Sequence, residues 1–163
     1  MTPCAEIDSG PADVIQTPHF GQIGWDRTAE LFLPGGLPGF EDERRMIPVE
    51  IPAHRPLVFL QSIERPDVCF VSLPVRTVLP GYELHLTEDD RAALGLDETR
   101  DPEIGTDVLC LALLLPHGGS VEVNLDAPIV INLHNSRCVQ SISPSTLSGY
   151  YRLNHGGAWE AAC

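Results

Sequence analysis

"VLCLALLLPHGGSVEVNL", residues 108–125, decides the fold. Eight apolar residues, Val108 to Leu115, lead through a His-Gly-Gly-Ser step into a run where Val121, Val123 and Leu125 alternate with Glu122 and Asn124. Two apolar segments joined by paired glycines read as a β-hairpin, because glycine supplies the positive φ angles that tight hairpin turns need. The eight-residue run is far short of the roughly 20 residues a membrane-spanning helix requires. "HGGS" is similar to the oxyanion loop of esterases, but no Gly-x-Ser-x-Gly elbow occurs in the chain, so the turn reading stands.

Short runs of the same kind extend outward on both sides. Upstream lie "HFGQIGW" (19–25), "ELFL" (30–33), "RRMIPVE" (44–50), "LVFLQSI" (57–63), "VCFVSL" (68–73) and "YELHL" (82–86). Downstream lie "IVINL" (129–133), "CVQSI" (138–142) and "YYRL" (150–153). Their β-branched and aromatic content, bounded by Pro, Gly, Asn and Asp, is the strand signature. The 15 prolines and 14 glycines are spread along the chain and mark frequent turns. One helix is expected over about 87–95, with Thr87 as its cap, acids in its first turn and Gly95 as a left-handed stop. These elements predict a mainly β, single-domain, small antiparallel β-barrel of about ten short strands with one short helix, closed or nearly closed so that few edges stay exposed. The domain spans 19–153, between a flexible acidic N-terminal tail (1–18) and a C-terminal tail (154–163).

"FLPGGLPGFEDE" (32–43) places Leu37 and Phe40 among five residues that stop helices and strands. A flexible linker has no use for apolar anchors, so both side chains are expected to fasten a rigid turn to the barrel end.

The charge of −13 comes from 23 acids against ten bases, all of them arginine. From Glu83 to Asp107 there are nine acids and two arginines. Such a balance disfavours direct nucleic-acid binding and suits a basic protein partner. The five cysteines lack metal-ligand spacing, no histidine pair has the zincin spacing, and no Gly-rich loop is placed to cradle phosphate. The expectation is therefore no enzyme, no metal and no cofactor. With no signal peptide or membrane span in view, a cytoplasmic, reduced protein is expected.

Strand side chains alternate between faces. In "YELHL", Tyr82, Leu84 and Leu86 are expected inward and Glu83 and His85 outward. In "IVINL", Ile129, Ile131 and Leu133 are expected on the core side, with Val130 and Asn132 opposite. For Asn124 and Asn132 the simpler reading is a hydrogen bond to a neighbouring turn.

"GLPGFE" (Gly36 to Glu41), "LQS" (Leu60 to Ser62), "PGYELHL" (Pro80 to Leu86) and "NLDAPIVIN" (Asn124 to Asn132) occur in an order and spacing that resembles the flagellar assembly factor FliW family, over roughly residues 17–153. The stretches "PVRTVLPGY" and Arg137 to Gln140 depart from the family's usual residues. The resemblance implies a small barrel-like domain without catalysis. It also implies a protein antagonist of CsrA, the RNA-binding translational repressor, and a partner of flagellin. Held by flagellin, such a factor cannot reach CsrA; once flagellin is exported, the freed factor binds CsrA and flagellin translation resumes. Pro80, Glu83, His85, Asn124, Val130 and Asn132 are the candidate partner-binding residues, with no membrane contact expected. The competing readings are a small-ligand-binding barrel, against which the Ile, Leu, Val and Phe of the inward faces predict a filled interior, and an enzyme whose groups converge from distant strands.

Overall fold

The computed structural model describes residues 13–142, 150–153 and 159–161. Twelve strands lie among them: β1 (Asp13–Thr17), β2 (Gly21–Trp25), β3 (Leu31–Phe32), β4 (Arg45–Val49), β5 (Val58–Ser62), β6 (Cys69–Pro74), β7 (Val108–His117), β8 (Ser120–Asn124), β9 (Ile129–Asn132), β10 (Cys138–Gln140), β11 (Tyr150–Leu153) and β12 (Trp159–Ala161). Two helices, α1 (Val75–Val78) and α2 (Glu88–Leu94), separate β6 from β7.

β7 is the spine of the main sheet. β6 pairs with its residues 111–113 on one edge, while β9 takes 108–111 and β8 takes 114–117 in succession. The β7–β8 turn is the hairpin expected from "HGGS": His117 faces Ser120, with Gly118 at φ 54° and Gly119 at φ 82°. Every pairing within the strand ladders is antiparallel, and the path β3-β4-β5-β6-β7-β9-β10 curls into a half-barrel. Its two ends meet at one parallel bridge, Phe32 to Arg137, where the Phe32 N–H donates to the Ser136 carbonyl at 3.0 Å. Among the described residues, the expected closure thus exists at this one bridge. β8, β11 and β12 leave this circuit as a separate flap.

The curl divides the apolar residues into two cores. Inside it pack Leu31, Leu33, Leu37, Met46, Leu60, Leu111, Ile129, Ile131 and Cys138. On the outer face of β7 and β9 pack Leu73, Val75, Val78, Tyr82, Leu94, Cys110, Val123, Leu125 and Val130. α2 drives Leu94 into this outer core and is held as expected, with the Thr87 hydroxyl accepting from the Asp90 N–H and Gly95 at φ 70°. Tyr82 closes the same core, its hydroxyl donating to the Leu125 carbonyl at 3.1 Å.

Four expectations are corrected here. Residues 13–17, placed in the flexible tail, form β1 and pair along their full length with β2. The reason is an alternation inside "DVIQT" that buries Ile15 and Thr17 and exposes Val14 and Gln16; residues 1–12 lie outside the described residues. Trp159–Ala161, placed in the C-terminal tail, form β12 against β11. "YELHL" is no strand and pairs with nothing, although its burial still alternates, with Tyr82 buried and Glu83 and His85 exposed. In "IVINL" both faces are covered: all of β9 is buried and Leu133 is exposed.

Candidate protein-binding surfaces

The acidic segment forms an exposed, ordered face. Leu84 and Leu86 turn partly inward against the outer core, which leaves Glu83 and His85 exposed. These two side chains line an open depression of about 300 Å³ with Arg91 and Asp101. Arg91 braces it by donating to the Arg100 carbonyl at 3.2 Å and pairing with Asp101. Pro80 is exposed just upstream. Glu88 and Asp89 stand exposed in the first turn of α2, where the aligned peptide dipoles favour negative charge. Not all acids of the segment are free. Asp90 accepts from the Ser141 hydroxyl at 2.9 Å, and Asp97 accepts from both the N–H and the hydroxyl of Thr99.

Asp107 anchors the far end of this segment. It is buried, its Oδ2 accepts the Glu103 N–H at 2.9 Å, and its Oδ1 pairs with Arg100 at 2.9 Å. These bonds, the backbone one foremost, hold its carboxyl below the usual range. His134 Nε2 lies 3.6 Å from the same carboxylate.

The other sequence-selected residues do not line the depression around Glu83 and His85. Asn124 is half-buried and caps its own turn, its Oδ1 accepting the Asp126 N–H at 2.9 Å. Val130 is fully buried in the outer core, so its expected role at a partner surface is withdrawn. Asn132 is buried too: its Nδ2 donates to the Leu94 carbonyl at 2.9 Å and its Oδ1 accepts the His134 N–H at 2.9 Å. It satisfies the end of α2, as the turn reading anticipated, and it also lines an open depression of about 220 Å³ with Asp97, Arg100, Asp107 and His134. The physical cause is common to both. β9 has the inner core on one side and α2 with the 79–86 segment on the other, which seals off Val130 and leaves only the edge of Asn132 open.

A second surface escaped sequence reasoning. An apolar groove of about 470 Å³ opens at the end of the curled sheet between the 37–40 turn, β6, β7 and β10. Leu37 is buried as the expected anchor. Phe40 is only half-buried and forms a wall, edge-on to Phe70 with ring centres 5.0 Å apart. Leu113, Leu115 and Cys69 complete much of the lining, and Gln140 is its polar member. The signal was present in the paired Leu37 and Phe40. What it lacked was the knowledge that Leu115, on the exposed half of β7, lies beside them.

The three cysteines among the described residues offer no reactive thiol. Burial pushes Cys110 and Cys138 up to about 12 and Cys69 to about 11, so all three stay protonated and apolar at neutral pH. Among the described residues, no cluster of three His, Cys, Asp or Glu side chains is placed to hold a metal, and no helix is long and apolar enough to cross a membrane.

Comparison with known proteins agrees with this architecture. The sequence matches the family model described as FliW protein over residues 14–153, a span that begins within β1. It is 30% identical over 118 residues to the flagellar assembly factor FliW of Geotalea uraniireducens, covering 72% of this chain and 69% of that protein. Against the flagellar assembly factor FliW of Anoxybacillus flavithermus it is 32% identical over 133 residues, covering 81% and 88%. A crystal structure of the flagellar assembly factor FliW superposes with a TM-score of 0.72 at 26% identity, covering 84% of this chain and 93% of that one.

Proposed function

The chain belongs to the FliW family of flagellar assembly factors, and from that membership we propose that it works by binding proteins: it captures the translational regulator CsrA, relieving repression of flagellin translation, and it also binds flagellin. The observation that carries this reading is the exposed acidic face around Glu83, on a domain of charge −13. An RNA-binding regulator presents positive charge, and a negative surface raises its association rate and sets its orientation. The protein acts in the cytoplasm, where both partners are made. The small-ligand and enzyme readings have no comparable observation in their favour.

The test is to titrate CsrA into the wild-type protein and into Glu83→Arg at low and high salt. The wild-type complex is expected to weaken as salt shortens the Debye length from about 10 Å at 0.1 M to about 3 Å at 1 M. Glu83→Arg is expected to bind more weakly at low salt without loss of thermal stability, because the side chain is exposed. Equal binding by both proteins at every salt concentration would reduce the acidic segment to a solvated face.

A further inference from the structure

Among the described residues, the seam of the curled sheet carries a hydrogen-bonding edge that no strand pairs. Asn132 N–H donates to the Arg137 carbonyl at 2.8 Å, and Ser141 N–H donates to the Pro128 carbonyl at 2.9 Å. Hydrogen-bonded pairs alternate along an antiparallel ladder. Arg137, Val139 and Ser141 therefore bond toward β9, and the backbone N–H and C=O of Gln140 point to the opposite edge of β10. That edge is the seam, which β3 closes only at the Phe32–Arg137 bridge.

The chemistry of β3 explains why closure stops there. β3 runs parallel to β10 at the bridge, so its next donor toward β10 belongs to residue 34. Residue 34 is proline and has no N–H. The chain then turns away through Gly35 and Gly36, the Gly36 N–H donating back to the Leu33 carbonyl at 3.0 Å. Among the described residues, β10 is paired with β9 alone.

The apolar groove opens along this same edge. Gln140 lines it together with Leu37, Phe40, Phe70, Leu113 and Leu115. We propose that the seam is a strand-addition site, taking an extended apolar segment of a protein partner whose flanking residues are basic. Free backbone groups beside apolar pockets suit an extended peptide, which bonds the edge while alternate side chains fill the groove. A docked helix or an acyl chain would leave the Gln140 groups unpaired. The basic flanks follow from the domain charge of −13 and from exposed Glu41 and Asp42 directly after Phe40. The proposal rests on the protein-binding reading above and adds the element and the kind of segment it receives.

Gln140→Pro tests it directly. The lost N–H faces the seam and not β9, so proline removes the docking bond and leaves the β9 ladder whole. Leu115→Asp puts a charge into the groove from an exposed position. Full-length wild-type and variant proteins are titrated with CsrA and, separately, with flagellin, and their melting temperatures are compared. Both variants are expected to lose about tenfold or more in Kd toward at least one of the two. Gln140→Ala, which keeps the N–H, is expected to bind more tightly than Gln140→Pro. Amide exchange at residue 140 is expected to slow in the complex. Wild-type affinity in Gln140→Pro, or an unchanged residue-140 amide, overturns strand addition even if Leu115→Asp weakens binding, because docking would then be helical or purely apolar. An amide at 140 already slow in the free protein overturns it as well, since the edge would be covered by the chain itself. Binding of neither protein by the wild type removes the protein-binding reading and the proposal with it, a pattern distinct from the others.

Discussion

Gly36 sits at φ +62°, and a Cβ placed on it would stand 2.5 Å from the Phe40 carbonyl oxygen and 2.7 Å from the Glu41 Cα. Both neighbours are backbone, so neither can swing aside. Gly39 makes an informative contrast: its φ is +82°, but a Cβ there would meet nothing within 4 Å. It follows Pro38 in a turn closed by the Phe40 N–H on the Leu37 carbonyl at 2.7 Å. Gly36→Ala is therefore expected to cost about 1–3 kcal/mol from crowding, on top of a backbone penalty of about 1–2 kcal/mol for the left-handed conformation. Gly39→Ala is expected to cost only the latter. Chemical denaturation of the two variants checks this, and equal losses would show that backbone conformation alone makes Gly36 necessary. The need for glycine was legible in "PGGLPG". Which glycine is crowded was not, because the crowding comes from how the turn folds back on Phe40 and Glu41. Asn132 shows the same limit. Alternation assigns a residue to one of two faces, but only tertiary packing says whether that face meets water.

At the level of elements, the strands around β7 were legible because each is an apolar run ended by a turn residue. The misreadings cluster where a segment's pattern and its pairing part company. "YELHL" alternates like a strand but has no neighbour, and its alternation serves instead to seat Tyr82, Leu84 and Leu86 on the outer core. "DVIQT" is short and polar, so its apolar half escaped notice, yet pairing with β2 gives it a definite register. The β1–β2 hairpin is joined to the main sheet by Phe20, which meets Phe59 edge-on with ring centres 5.2 Å apart. Arg27 holds its start through Asp13 at 2.8 Å, a bond too exposed to count for much. Removing residues 1–17 deletes β1 and the burial of Ile15, worth about 2 kcal/mol. A fall in melting temperature of roughly 4–8 °C is expected for a chain of this size. A truncated protein that melts with the full-length chain would show that the hairpin adds nothing to the main sheet.

For the whole molecule, charge sets two opposing responses to pH and salt. At neutral pH the net −13 repels itself across the folded surface. Against this, several carboxyls are held below their ordinary range by bonds that exist only in the fold. Asp107 is held by the Glu103 N–H and the Arg100 guanidinium, Asp97 by Thr99 and Asp26 by Thr28. Burial pushes Glu30 upward, but the Trp25 indole and the Arg45 guanidinium outweigh it. A carboxyl with a depressed folded pKa contributes stability that is fully present above its unfolded value, near 4, and is lost as pH falls through the folded value. Mild acidification from pH 7 toward 5 leaves these bonded carboxyls ionised. Below about pH 4 the bonded carboxylates take up protons more readily in the unfolded chain, so stability is expected to drop there. At pH 7 the repulsion remains, and moderate sodium chloride is expected to raise the melting temperature by screening it. Asp107→Asn separates the two effects. It removes one negative charge and one bonded carboxylate, so a merely repulsive acidic segment would gain stability at pH 7 from the change. The bonds to Glu103 and Arg100 require the opposite: the variant is expected to melt lower than wild type at pH 7, with the difference shrinking below pH 4 as the wild-type carboxylate is itself protonated. A difference that stays constant across that range would assign the loss to packing at residue 107 and not to its charge.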